Sequence, residues 1–144
     1  MNLTIDANVF VAASLEEDVF HDLCSEFLLD VRLDAQAIYE PVFVLAEVAG
    51  VISRVRKQHA LGDVAALRIE NFSRMRLRIA DGPFARCSAR LASRHAISGA
   101  DSQYLTVATE FGTTLVTLDD ELLKLNGIAA KIRTPQQWLH DLAD

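Results

Sequence analysis

Residues 98–120 have the sequence SGADSQYLTVATEFGTTLVTLDD, in which a helix, a glycine and a strand follow one another closely. The pattern predicts a helix from Ala100 to Phe111, and Gly112 ends it, since glycine is common just beyond a helix C-terminus. Thr114–Thr117 is rich in β-forming residues and predicts a buried strand. A helix followed directly by a buried strand is typical of a parallel α/β sheet.

The rest of the chain continues this alternation. Proline suits the first helical turn, so Pro41, Pro83 and Pro135 are each expected to open a helix. Alternating strands and helices imply a mainly parallel sheet that is covered on both faces. Predicted strands cover 3–6, 37–39, 77–79, 114–117 and 131–133; predicted helices cover 8–15, 17–33, 41–58, 61–76, 83–95, 100–111, 119–125 and a last segment from 135.

Helical spacing also predicts which side chains face inward. The 17–33 helix is predicted to have one inward face, and Leu142 is predicted to face inward with Trp138 from the last helix. The inward face of the 17–33 helix consists of Val19, Phe20, Leu23, Phe27, Leu28 and Val31. Helix 43–55 is apolar around most of its girth, which indicates either a central core helix or a subunit interface.

Composition limits the class of protein. With 144 residues, 51% of them hydrophobic and 24% charged, the chain is expected to form one globular domain over 1–144. No apolar run approaches the ~20 residues that span a bilayer. The first residues lack a basic segment followed by an apolar one, so no secretory signal and a cytoplasmic location are expected. Two cysteines 63 positions apart disfavour a disulfide scaffold or a zinc site.

The net charge of −6 hides an asymmetry. Residues 54–94 hold ten basic and three acidic residues, a net charge of +7, so the rest of the chain carries −13. Arg86, Arg90 and Arg94 are spaced i, i+4, i+8 and form one stripe on the predicted 83–95 helix. Such a stripe is either an RNA-binding surface or a solvated helix face.

Four acidic residues map to one edge of the predicted sheet. Asp6 ends the first strand, Asp101 lies in the first turn of the 100–111 helix, and Asp119 follows the 114–117 strand by two residues. Glu47 lies in a nearly all-apolar helical stretch, where an isolated carboxylate is costly to bury. Taken singly, Asp101 and Asp119 are also what a helix N-terminus prefers. Their shared position at the carboxyl edge, where ligands bind in such sheets, favours a common site.

Carboxylates held close together repel one another, so they either retain protons or bind a cation. Oxygen ligands without nearby histidine or cysteine favour Mg²⁺ or Mn²⁺ over Zn²⁺. The matching chemistry is metal-assisted attack of water on a phosphodiester.

The sequence resembles the PIN-domain ribonucleases, and among them the VapC-type toxins of toxin–antitoxin systems. The matching pieces are Ile5-Asp6-Ala7-Asn8, Glu47 in its apolar helix, Ser98-Gly99-Ala100-Asp101 and Leu115-Val116-Thr117-Leu118-Asp119, and the resemblance covers essentially the whole chain.

That resemblance implies a PIN-like three-layer α/β/α sandwich and an endoribonuclease that depends on Mg²⁺ or Mn²⁺. It also implies a homodimer and a cognate antitoxin that inserts a segment into the active-site groove. Asp120 directly follows Asp119 and can share or replace its role. The implied metal-binding and catalytic residues are Asp6, Glu47, Asp101 and Asp119, supported by Asn8 and Thr117.

Two other functions are compatible with an acidic α/β pocket. One is a PIN-like domain that binds nucleic acid or a partner without catalysis; the four intact acids argue against it. The other is a phosphotransfer domain, which needs a lysine at a later strand end. The lysines lie only at positions 57, 124 and 131, and none follows a clear core strand.

Overall fold

The computed structural model describes residues 1–34 and 37–144. Among these residues it contains five strands and eight helices that alternate along the chain. The strands are β1 (Leu3–Ile5), β2 (Ile38–Pro41), β3 (Met75–Arg78), β4 (Thr114–Val116) and β5 (Lys131–Arg133). The helices are α1 (Ala7–Ser14), α2 (His21–Asp34), α3 (Val44–Arg56), α4 (His59–Glu70), α5 (Gly82–His95), α6 (Gly99–Phe111), α7 (Asp120–Leu123) and α8 (Pro135–Ala143).

All strand pairs are parallel, and the spatial order is β3-β2-β1-β4-β5. Helices flank the sheet, so the three-layer α/β/α fold expected from the alternation is confirmed. The chain builds outward from β1 on one side and then returns to build β4 and β5 on the other. The point between β1 and β4 is therefore the topological switch point, where an open α/β sheet has its crevice.

The core lies on both faces of the central strands. β1 and β4 are buried along their whole length, and their side chains meet apolar faces of the helices. α6 carries a continuous buried run from Tyr104 to Ala108 and contacts three strands of the sheet. This burial fixes α6 with its N-terminus at the carboxyl edge.

The structure corrects the prediction that Pro41 opens a helix. Pro41 is the last residue of β2, where it pairs with Arg78 of β3, and α3 begins three residues later at Val44. Proline is tolerated at a strand end because the missing amide hydrogen is not needed for the ladder there.

The start of the second helix is also later than expected. The helix begins at His21, because the Asp18 carboxylate accepts the Phe20 amide at 2.8 Å and forms a turn that competes with the helix. Val19 and Phe20 are consequently 88% and 44% exposed, so the prediction that they face inward is wrong. Leu142 is 45% exposed and was also predicted wrongly, whereas Trp138 is buried as expected.

Helix α3 is less buried than its composition suggested. Val44, Val48 and Ile52 are buried on one side, while Val55 is 48% exposed. No helix in the described ranges combines the length and the apolarity needed to cross a membrane.

Candidate active site

Asp6 lies at the switch point of the sheet, directly after β1. Its amide donates to the Val116 carbonyl at 2.9 Å, which continues the pairing of β1 with β4 by one residue. Its side chain is only 3% exposed, and its Oδ2 accepts a hydrogen bond from the Thr117 hydroxyl at 2.7 Å. Strand pairing and this hydrogen bond together fix the carboxyl group at the edge of the sheet.

Thr117 connects the ends of the two central strands. Its Oγ1 donates to Asp6 and accepts the backbone amide of Asp119 at 3.0 Å. Asn8 supports the same loop, because its Oδ1 accepts the Leu118 amide at 3.3 Å and its amide nitrogen lies 3.4 Å from the Thr117 hydroxyl. Asn8 and Thr117 thus hold the Asp119 backbone near Asp6.

Asp101 and Asp119 occupy the N-terminal turns of two helices. The Ser98 hydroxyl caps α6 by accepting the Asp101 amide at 3.0 Å. Asp119 is the N-cap of α7, where its Oδ1 accepts the Glu121 amide at 2.9 Å. Partial burial and then the charge of Asp119 raise the pKa of Asp101. The two carboxyl groups are therefore close neighbours.

Glu47 reaches the same pocket from α3. It is half-buried, and its Oε2 accepts a hydrogen bond from the Tyr104 hydroxyl of α6 at 3.1 Å. Burial raises the pKa of Glu47, the Tyr104 hydrogen bond opposes this, and the charge of Asp101 adds to it. Burial also keeps the pKa of Tyr104 far above its ordinary value, so this hydroxyl stays a donor.

The four predicted acids are coupled electrostatically. Burial is the largest effect on Asp6 and raises its pKa to about 7 against an ordinary value of 3.8, although the Thr117 hydrogen bond lowers it. The charges of Asp101, Glu47 and Asp119 raise it further. Among the described residues, none of the four acids forms a salt bridge with a basic side chain. The structure therefore brings together all four acids without a cationic side chain to neutralise them.

This donor set fits a hard divalent cation. The donors are carboxylate oxygens only, and none of them is paired with a basic side chain of the described residues. Within the described residues, no three acidic, histidine or cysteine side chains enclose a position for a metal ion. Mg²⁺ does not require such a cage, because it usually takes one or two carboxylates and keeps several waters.

A fifth acid in this region was not predicted. Glu40 of β2 has a fully buried side chain, and burial raises its pKa well above the ordinary value. The charges of Asp6 and Glu47 raise it further, so the three groups are near one another. Glu40 directly follows the predicted strand 37–39, which was a usable signal, since an acidic residue next to a buried strand requires a reason.

The remaining predicted residues lie around this pocket. Asp120 is the first residue of α7 and is exposed; the charge that acts on Asp6 and Asp101 is that of Asp119. The arginine stripe is exposed on α5, which packs against α6. Arg90 of the stripe donates a hydrogen bond to the Cys87 sulfur at 3.2 Å. The members of the stripe are Arg86, Arg90 and Arg94.

Comparison with known proteins gives the family. The family model of the PIN domain matches residues 3–128. The chain belongs to the PIN-domain family. This match includes every residue of the acid pocket. No curated protein sequence matches the chain.

Solved structures share this PIN fold at low sequence identity. VapC20 from Mycobacterium tuberculosis, described as a toxin that cleaves the sarcin–ricin loop, superposes with a TM-score of 0.72 at 17% identity, over 85% of this chain and 94% of that one. VapBC2 from Rickettsia felis, solved with a promoter DNA fragment, superposes with a TM-score of 0.68 at 18% identity, over 93% of this chain and 98% of that one. FitAcB from Neisseria gonorrhoeae superposes with a TM-score of 0.67 at 18% identity, over 93% of this chain and 98% of that one. The family model thus confirms the resemblance to the PIN-domain family, and these solved structures share its fold.

Proposed function

We propose that this PIN domain is an endoribonuclease that depends on Mg²⁺ or Mn²⁺ and hydrolyses RNA phosphodiester bonds. The observation that carries the proposal is the pocket at the switch point, where burial and the charges of Asp101, Glu47 and Asp119 raise the pKa of Asp6, and no basic side chain of the described residues pairs with these acids. Membership of the PIN family supports nuclease chemistry at this pocket.

The residues of the pocket have different tasks in this reaction. Asp6 is the most buried of these four acids and is held by Thr117, so it defines the floor of the site. Glu47 and Asp101 are partly exposed, so a phosphate group and water can reach them from solvent. Tyr104 and Ser98 fix the positions of these two acids. A divalent cation bound by the acids supplies positive charge for the phosphate oxygens and makes water more acidic.

The substrate is RNA in this proposal, and the α5 stripe provides its contact surface. Arg86, Arg90 and Arg94 lie on the helix that leads into Ser98 and Asp101. Exposed guanidinium groups along such a path can contact successive phosphates of a polyanion. The stripe therefore extends from α5 towards the N-terminus of α6, where the acid pocket lies.

The protein acts as the toxin of a toxin–antitoxin pair in this proposal, and the antitoxin covers the active-site groove. The support is the shared fold with VapBC2 and FitAcB. The toxin is proposed to be a homodimer and cytoplasmic. The partly exposed apolar side of α3, which includes Val55, supports a contact between subunits.

Cleavage of RNA by carboxamide variants tests the proposal. Asp6→Asn and Asp101→Asn should abolish metal-dependent cleavage, since each removes an anionic oxygen ligand. Their thermal midpoints without metal should equal or exceed the wild-type value, because repulsion between acids is relieved. The measurement is cleavage of labelled RNA in Mg²⁺, Mn²⁺ and EDTA, together with thermal unfolding.

Asp120→Asn is the matched control, since Asp120 is exposed beside the pocket, and it should cut RNA at the wild-type rate. If Asp6→Asn cuts RNA as fast as the wild type, the metal site is not where we place it. Wild-type protein that binds RNA and never cuts it would support the alternative, a PIN domain that binds without catalysis.

A further inference from the structure

The contact between β1 and β2 opens at the edge nearest the acid pocket. β1 pairs with β4 at three positions but with β2 at only one, Leu3 with Ile38. In a regular parallel ladder the amide of Ile5, two residues further on, would donate to the Tyr39 carbonyl. It donates instead to Oε1 of the Glu40 side chain, at 2.5 Å. The carboxyl group thus stands where a strand-to-strand hydrogen bond is expected.

Glu40 is a costly residue for this position. Its side chain is 0% exposed, and among the described residues its Oε2 has no hydrogen-bond partner. A buried polar atom without a partner destabilises a protein. The carboxyl group satisfies the buried Ile5 amide but leaves its own Oε2 unpaired, so stability alone gives little reason for an acid here, and its position suggests a role in the neighbouring pocket.

The residue after Ile5 is Asp6, the deepest acid of the pocket. The backbone of Asp6 is held on one side by the Val116 carbonyl and on the other, through Ile5, by the Glu40 carboxyl. Moving Ile5 towards β2 would draw Asp6 away from Thr117, which hydrogen-bonds to it at 2.7 Å. The hydrogen bond between the Ile5 amide and Glu40 thus helps to set where the Asp6 carboxyl lies.

We propose that Glu40 is a positioning residue for Asp6: its carboxyl group bonds the Ile5 amide, keeps β1 apart from β2, and places the Asp6 carboxyl against Thr117. The inference rests on the proposed metal-dependent function and deepens it. Glu40 acts through Ile5 and does not need to touch the metal or the RNA.

Binding of Mn²⁺ alone to the full chain tests the proposal, with titration calorimetry as the readout. Glu40→Gln keeps an acceptor oxygen for the Ile5 amide and should bind Mn²⁺ almost as well as the wild type. Glu40→Leu removes the acceptor and should weaken Mn²⁺ binding by about tenfold or more, the usual effect of losing an outer residue that orients a metal ligand. Glu40→Asp should behave like Glu40→Leu, because the shorter side chain no longer reaches Ile5.

Thr4→Val is the control for general destabilisation. Thr4 lies in the same strand and bonds the Thr113 hydroxyl at 2.6 Å, away from Glu40. This variant should lower the thermal midpoint and leave Mn²⁺ affinity unchanged. In parallel, hydrogen exchange by NMR should show the Ile5 amide protected in the wild type and Glu40→Gln and unprotected in Glu40→Asp.

The inference is overturned if Glu40→Leu and Glu40→Asp bind Mn²⁺ as tightly as the wild type does. It is also overturned if Glu40→Gln or Thr4→Val loses as much Mn²⁺ affinity as Glu40→Leu and Glu40→Asp lose. Should Glu40→Leu fail to fold, Glu40→Asp and the Ile5 amide carry the test. Wild-type protein that does not bind Mn²⁺ overturns the proposed function and this inference together. Wild-type binding with unaffected variants overturns the inference alone.

Discussion

A carboxyl group buried among other carboxyl groups makes the stability of a protein depend on pH. The pKa of Asp6 rises from 3.8 to about 7 on folding without metal, so between these values the folded state holds a proton that the unfolded state has lost. The stability from this raised pKa is complete below about pH 4 and is lost as the pH rises through about 7. At ~1.4 kcal/mol per pKa unit, this contribution of Asp6 to the free energy of unfolding is roughly 4 kcal/mol at most.

We therefore expect the free energy of unfolding in EDTA to fall between about pH 4 and pH 7, with Asp6→Asn showing a clearly flatter profile. Urea unfolding at several pH values measures this. Asp120→Asn should keep the wild-type slope, because Asp120 is exposed. An Asp6→Asn slope equal to that of the wild type would show that Asp6 does not hold its proton more tightly in the folded state.

Among the individual residues, sequence reasoning was most effective where a residue follows a strand. Asp6 and Asp119 were assigned to one edge because they follow the ends of predicted parallel strands, and the structure places them together. Glu40 also follows a predicted strand, 37–39, but its contact with the Ile5 amide could not be found in this way. The opening between β1 and β2 depends on how far apart the two strands settle, which no local pattern in either strand records.

At the scale of an element, the stripe on α5 makes a quantitative prediction. Replacing Arg86, Arg90 and Arg94 with glutamine should weaken RNA binding. Each phosphate contact with a single strand contributes ~0.7 to the slope of log K for RNA binding against log salt concentration, so the loss of all three contacts should reduce the magnitude of this slope by about 2. Filter binding in the presence of EDTA at several salt concentrations measures the slope without cleavage. Replacement of Lys57, Arg68 and Arg76, which are exposed outside α5, is the matched control and should leave the slope nearly unchanged. If both triple variants change the slope equally, RNA does not follow α5.

The element boundaries show where local signals compete. Pro83 and Pro135 lie at the starts of α5 and α8 as predicted, and in both cases a capping side chain precedes the proline. Pro41 has no such cap before it and ends β2 instead. Proline fixes φ but does not choose between a helix start and a strand end, so the capping residue before it decides.

At the scale of the whole molecule, the site depends on strand order rather than on any one segment. β1 and β4 are distant in sequence but adjacent in space, and Thr117 joins their ends through one hydroxyl. α3 and α6 then bring Glu47 and Tyr104 together from a separation of 57 positions. The parallel order was enough to predict that the acids share an edge, while their hydrogen bonds and pKa values required the folded chain.

The segment after the family match tests whether the whole chain folds as one unit. α8 lies outside residues 3–128, yet Trp138 is 2% exposed and packs edge-to-face on Phe27 of α2, with ring centres 5.1 Å apart. Trp138→Ala should therefore lower the free energy of unfolding by about 3–5 kcal/mol. Leu142→Ala, in the same helix but 45% exposed, should cost far less. Urea unfolding followed by circular dichroism should show one transition for both variants, and a separate early transition for Trp138→Ala would mean that α8 unfolds independently of the sheet.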